Sequence, residues 1–285
     1  MSYGSNILGG FSGTLFTSTG YNDNSAGVNV GVAARVTPAL DPNNINVRGT
    51  GERGLYDILL GMRDPRITID FLPTSKTFIT TYQSGITAIP YLHMRFGTTD
   101  GLTFVAPKVN RLSVEARHNE AVTATMELWA GGNASYPSGL IRWGLNTPPT
   151  QTWGSRVTTP YRWLNTVLSV ASSVESQWTS WRYEVVNNLQ RLGNVATGGT
   201  RDLKARQRDV TGQVVADLED FEEFGTLANV GSEAGKFNIT AALDGTDLLN
   251  CNYCRWGRLE APFGPEDLIM RRFPFTATDL TTLTP

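Results

Sequence analysis

Cys251-Asn252-Tyr253-Cys254 is a C-x-x-C, and paired thiols at that spacing serve metal binding or redox exchange. A four-ligand zinc site needs two further ligands. The two histidines, His93 and His118, stand at no spacing that supplies them. On a strand, positions three apart also point to opposite faces, so the thiols read as small core or boundary side chains. Gly231-Ser232-Glu233-Ala234-Gly235-Lys236-Phe237 resembles a phosphate loop, but it is one residue short between its glycines and lacks Ser or Thr after the lysine. It reads as a loop before a strand. Asp217, Glu219, Asp220, Glu222 and Glu223 offer carboxylates for acid/base work, and a glycosidase needs two across a cleft. Around a helix N-terminus they are more simply a cap with favourable dipole placement. A nucleophile triad would have to recruit one of the histidines, and neither has neighbours that suggest it. No catalytic, cofactor or metal residue is expected, and the chain does not read as an enzyme.

The element carrying those acids is a strand that runs into a helix. Val214, Ala216 and Leu218 alternate with Gln213, Val215, Asp217 and Glu219, the period of a strand with one buried face. Asp220 can cap a helix over 220–228, with Glu223 in the capping-box position and Phe221, Phe224 and Leu227 on one face. A twin stands earlier in the chain. Ile67, Ile69 and Phe71 match the apolar set and Asp70 matches Asp217, at an offset of 147, and Phe78 and Tyr82 come after them at helical spacing. The same offset joins Leu92, Phe96 and Asp100 to Ile239, Leu243 and Asp247, and Arg111-Leu112 to Arg258-Leu259. Upstream, Gly51, Arg53 and Leu55 meet Gly199, Arg201 and Leu203 at 148. A constant offset marks an internal repeat, so the chain reads as two copies of one fold.

The chain divides into four segments. Residues 1–27, rich in Gly, Ser, Asn and Thr, form an N-terminal arm. Residues 28–130 form a first β domain, with strands at 28–36, 66–71, 91–96, 102–106, 109–117 and 121–130, a helix face marked by Phe78 and Tyr82, and a turn at His118-Asn119-Glu120. Residues 131–165 have Pro/Gly linker composition and carry Trp143, Trp153 and Trp163. Residues 166–285 form a second β domain, with strands near 166–174, 178–186, 213–219, 236–243, 252–261 and 267–276. Each domain also holds a long polar excursion, 37–54 and 187–212, which reads as a binding arm. Its polar residues include Asn43, Asn44, Arg48 and Arg53 in the first and Arg201, Lys204, Arg206 and Arg208 in the second. The fold class is mainly β: two tandem β-sandwiches or partly closed β-barrels, each with one short helix and a long polar arm.

Composition narrows the partners. With 285 residues, 40% apolar and 18% charged, the chain can bury two cores and has no apolar run of membrane-spanning length. Its first residues lack the basic start and apolar core of a signal peptide. A net charge of −2 leaves no footprint of tight nucleic-acid binding.

The order within each copy resembles the tail tube proteins of tailed bacterial and archaeal viruses: strand, polar arm, strand leading into a short helix, strand and terminal hairpin. Arg208-Asp209-Val210-Thr211-Gly212-Gln213-Val214-Val215-Ala216-Asp217-Leu218-Glu219-Asp220-Phe221 is similar to that family's Thr-Gly, alternating strand, acidic exit and aromatic helix. The segment Asp267 to Ala277 is similar to its terminal strand. In the first copy Arg66-Ile67-Thr68 stands in place of Thr-Gly-Gln.

The resemblance implies a structural virion protein, a subunit of stacked rings through which the genome passes. A chain with two such domains would build a pseudo-six-fold ring from three copies. Its partners would be itself and other tail proteins, namely tape measure, terminator and a sheath where one exists. It would be made in the host cytoplasm and reside in the viral tail, with DNA sliding through the lumen without specific binding. Arg66, Thr68, Asp70, Gln213 and Asp217 then become lumen-facing candidates on strand faces polar enough to line a watery channel, and an acidic lining would repel phosphates. The arm residues become candidates for contact between rings. The alternative is a baseplate, distal tail or carbohydrate-binding β-sandwich module, supported by Trp143, Trp153, Trp163, Trp178 and Trp181, which otherwise pack the junction between domains.

Overall fold

The structure is a computed structural model, and it describes residues 13–21, 30–48, 57–59, 61, 63–96, 100–136, 138–143, 159–171, 173–175, 178–194, 199–217, 236–258 and 270–280. The first half holds β1 (Gly13–Ser18), β2 (Val32–Asp41), β3 (Ile45–Val47), β4 (Asp57–Leu59), β5 (Asp64–Leu72), helix α1 (Thr77–Tyr82), β6 (Tyr91–Phe96), β7 (Asp100–Val105), β8 (Pro107–Arg117) and β9 (Thr123–Ala130). A connecting strand, β10 (Leu140–Trp143), lies between the halves. The second half holds β11 (Thr166–Val170), β12 (Ser173–Glu175), β13 (Trp178–Val186), β14 (Gln190–Asn194), β15 (Gly199–Lys204), β16 (Asp209–Asp217), β17 (Phe237–Leu243), β18 (Thr246–Trp256) and β19 (Met270–Leu280). The protein is mainly β, as its alternating apolar pattern requires, and among the described residues its sheets are open.

One antiparallel sheet of eleven strands crosses both halves, in the order β12-β11-β17-β18-β19-β16-β13-β8-β9-β5-β2. The halves join where β13 pairs with β8, Arg182 opposite Glu115 and Glu184 opposite Ser113. A second sheet stacks β1-β6-β7-β10. Two pieces read as an arm and a linker therefore contribute strands, β1 beside β6 and β10 beside β7. The polar excursions contain the hairpins β3-β4 and β14-β15.

The pairing scheme occurs twice. Asp41 faces Asp64 across β2 and β5, and 145 positions later Val186 faces Asp209 across β13 and β16. The ladder is interrupted at Ala34 in the first pair and at Thr179 in the second, again 145 apart. The hairpins agree at the same offset, Ile45 opposite Leu59 and Gln190 opposite Lys204. Beyond the helix the offset becomes 147: Leu92 faces Phe104 as Ile239 faces Cys251, and Pro107 faces Ala130 as Cys254 faces Ala277. Register thus pairs Thr68 with Gln213 and Asp70 with Val215, two residues from the alignment of Asp70 with Asp217. A two-residue slip keeps every side chain on its face, which is why the alternating pattern did not expose it.

The apolar side of β5, β8 and β9 is fully buried: Ile67, Ile69, Phe71, Leu112, Val114, Met126 and Leu128. Helix α1 covers it with Phe78, Ile79 and Tyr82, the Phe78 ring meeting Phe71 edge-to-face at 6.0 Å. Second-half side chains hold the end of this helix. Asn187 donates to the carbonyls of Gln83 (3.0 Å) and Val109 (2.9 Å), and Arg208 donates to Asn187 Oδ1 and the Ser84 carbonyl. The corresponding helix expected over 220–228 lies outside the described residues.

β18 corrects the reading of the cysteines. Tyr253 has φ 56° and disturbs the pairing with both β17 and β19. An extra residue in a strand reverses the facing of the residues after it, so Cys251 and Cys254 both point inward and both are fully buried.

Candidate functional site

Opposite the buried face, β5, β9, β8, β13 and β16 present residues in register that are polar except for Val186. One row runs Asp70, Thr125, Ser113, Glu184, Thr211; the next runs Thr68, Glu127, Arg111, Val186, Asp209; a third, one strand shorter, runs Thr123, Glu115, Arg182, Gln213. Thr68, Arg111, Ser113, Glu115, Thr125 and Arg182 line an open groove of about 340 Å³. The sheet thus brings Arg66, Thr68, Asp70 and Gln213 from the two halves onto one face. Asp217 belongs to the same alternating set, its backbone opposite Met270.

That face is charge-balanced. On β5, β8, β9 and β13, Arg66, Arg111, Arg117 and Arg182 stand with Asp70, Glu115, Glu127 and Glu184. Arg111 donates to Glu184 Oε2 (2.9 Å), and the same oxygen lies 3.5 Å from Arg182, whose Nε donates to Ser113. Arg117 donates to Glu115 (2.7 Å). Thr125 donates to Asp70, and the Trp129 indole to Glu127. The bond to Glu184 pushes the Arg111 pKa further up, and the bond to Glu115 does the same for Arg117. On this face the arginines are matched with carboxylates.

Arg66 sits at one end of this face, held by Asp64 (2.6 Å) with its guanidinium 4.3 Å from the centre of the Trp129 ring. The other Asp64 oxygen takes Arg191 of β14 at 2.5 Å. Arg191 also donates to Thr200 and to the Ala130 carbonyl. Burial pulls the Arg191 pKa down while Asp64 opposes that. The second hairpin is therefore anchored on the first half. Leu203 is 1% exposed, and Lys108 donates to its carbonyl at 2.7 Å with Asp202 3.6 Å away.

The arm candidates divide. Asn43, Asn44 and Arg48 are exposed beside the first hairpin. Lys204 is exposed and paired with Asp202, and Arg206 is exposed. Arg208 is turned inward to Asn187 and Ser84. Arg201 lies in β15, and Arg53 falls outside the described residues. Arg191, Lys108 and Asp64 were missed by sequence reasoning, because the contacts of Arg191 with Asp64 and of Lys108 with the Leu203 carbonyl join residues more than ninety positions apart.

His93 is buried and stacked on Phe16 at 4.7 Å. Ser18 donates to the Gly20 carbonyl, so its oxygen accepts from His93 Nε2 (2.7 Å), and Nδ1 accepts from Thr103 (2.8 Å). Burial lowers its pKa to about 4. The neutral ring ties β6 to β1 and β7. Trp163, Trp178 and Trp181 form an edge-to-face ladder that Tyr183 continues by stacking. Trp181 is 2% exposed and the other two are half-buried. Trp153 is outside the described residues, and Trp143 lies in β10. Among the described residues no group of three or more His, Cys, Asp or Glu is gathered as a metal would need, and no helix is long and apolar enough to cross a membrane.

A family model described as phage tail tube protein matches residues 1–277 of the chain. No curated protein matches the chain.

Proposed function

Because the chain belongs to the phage tail tube protein family, whose members are structural proteins of the viral tail, we propose that three copies close into a pseudo-six-fold ring and that rings stack into the channel for genome passage. One observation carries this reading. The junction between β8 and β13 already joins two units of the same pairing scheme edge to edge within one chain, and repetition of such a joint between chains removes the remaining strand edges. Two units in each of three chains make the six-fold count. The repeated registers support an origin by duplication.

The polar face becomes the lumen in this arrangement, with Arg66, Thr68, Asp70, Gln213 and Asp217 on it. Its arginines are satisfied by neighbouring carboxylates, so a passing duplex meets polar side chains without uncompensated charge. The hairpins and the exposed residues in and beside them, Asn43, Asn44, Arg48, Lys204 and Arg206, fall to contacts between subunits and rings. Tape measure, terminator and sheath proteins are the expected outside partners, and the subunit is made in the host cytoplasm before it enters the virion.

Electron microscopy of the purified protein at rising concentration tests the reading. Rings with six density lobes, or hollow tubes of stacked rings, are expected. Monodisperse monomers at every concentration overturn it.

A further inference from the structure

The two hairpins share a register yet differ in surroundings. At the offset of 145, Asp57 corresponds to Asp202 and Ile58 to Leu203. Asn43 and Asn188, which precede the hairpins, also correspond and share a left-handed backbone, φ 46° and 47°. In the second hairpin Leu203 is buried against the first half, close to Gly131, and Lys108 reaches its carbonyl and Asp202. In the first hairpin Ile58 is 53% exposed, with Ile45 and Leu59 open beside it. A two-stranded hairpin is marginal without a surface to lie on. Among the described residues Asp57 has no ion-pair partner.

The surface it lacks is present at the other end of the chain. Lys108 stands two residues after the bend at Ala106, and Arg255 stands two residues after the matching bend at Tyr253. Lys108 lies opposite Trp129, and Arg255 opposite Thr276, in equivalent ladders. Arg255 is an exposed cation with no carboxylate partner among the described residues. Resting on the ring reading, we propose that the first hairpin of one copy docks on the β18-β19 end of a second copy. There Asp57 pairs with Arg255 and Ile58 is covered, as Asp202 pairs with Lys108 and Leu203 is covered within the chain. Charge sign, apolar position and register all repeat, and the contact continues the β8-β13 joint already in the fold.

The test monitors assembly by sedimentation velocity and electron microscopy for the wild type and for Asp57→Lys, Arg255→Asp, the double charge swap and Ile58→Lys. Each single variant should raise the concentration needed for assembly at least tenfold, and the swap should restore it. All four should melt like the wild-type monomer, because these side chains are exposed. Ile86→Lys, at a 66% exposed position elsewhere, should assemble normally. If the wild type never assembles, the ring reading fails and this inference falls with it. If the wild type assembles and the single variants do so equally well, the ring reading stands and the docking site is overturned. Defective single variants that the swap does not rescue overturn the pairing of Asp57 with Arg255.

Discussion

Ala106 and Tyr253 form the same bend in two strands: they lie 147 positions apart, with left-handed φ of 48° and 56°. Each turns its strand from one sheet segment to the next. In the first half the bend separates β7 from β8, and in the second it is a bulge within a continuous β18. A left-handed backbone costs an ordinary residue about 1 kcal/mol, and a position that keeps it twice is dictated by the path of the chain.

Ala106→Gly should relieve that cost at the loss of a single half-buried methyl group. A gain of about 0.5 kcal/mol is expected from these opposing effects. Urea unfolding with an unchanged slope against denaturant is the check, and a loss of stability would show that the methyl packing dominates.

Gly212 lies in β16 between β13 and β19, where an added Cβ would sit 2.3 Å from the Phe275 ring and 2.6 Å from the Arg182 carbonyl. The ring can shift, but the backbone carbonyl can do so only by distorting the ladder. Gly212→Ala should therefore destabilise the protein by about 2–3 kcal/mol, read as a fall in the unfolding midpoint. The Thr-Gly of this strand thus has a packing reason.

His93 sets an acid limit. Its pKa is about 4 in the folded chain against an ordinary value of 6.5, so the unfolded chain binds the proton first. This contribution is fully present above pH 6.5 and is lost as pH falls to about 4, a total of about 3 kcal/mol. NMR titration should show the imidazole neutral at pH 5, with Nε2 protonated. Protonation near 6.5 would contradict the buried site.

Glu184 neutralises two arginines at once. Glu184→Gln should leave the fold intact, because the amide still bonds Arg111, while it removes the carboxylate between Arg111 and Arg182. Assembled tubes of this variant should retain short duplex DNA at low salt. The slope of log affinity against log salt should steepen by about 2, as for two added phosphate contacts. Unchanged DNA retention would show that this face does not meet the genome.

Much of the sheet is legible in the sequence because its strands have one wet and one dry side. Tyr91–Phe96 is legible to the residue, and Asp64–Leu72 and Trp178–Val186 are recognisable from their alternation. Val32–Asp41 begins four residues later than its sequence suggests, because this edge strand is exposed along nearly all its length and carries no alternating signal. The arm hairpins read as loops because their residues are polar and weakly patterned: β14-β15 is held by contacts to distant strands, while β3-β4 is exposed along nearly all its length. Alternation finds the polar-face candidates but not their ion pairs, since Arg111 and Glu184 lie 73 positions apart.

The sequence by itself determined the mainly β class and which side chains share a strand face, because these depend on periodicity within a few residues. Only the tertiary structure decided that the two halves share one sheet, that the polar face is charge-matched, that both cysteines point inward and that one hairpin is docked while its counterpart is bare. Each of those depends on register between strands far apart in the chain, and a register can slip by two residues without altering any local pattern.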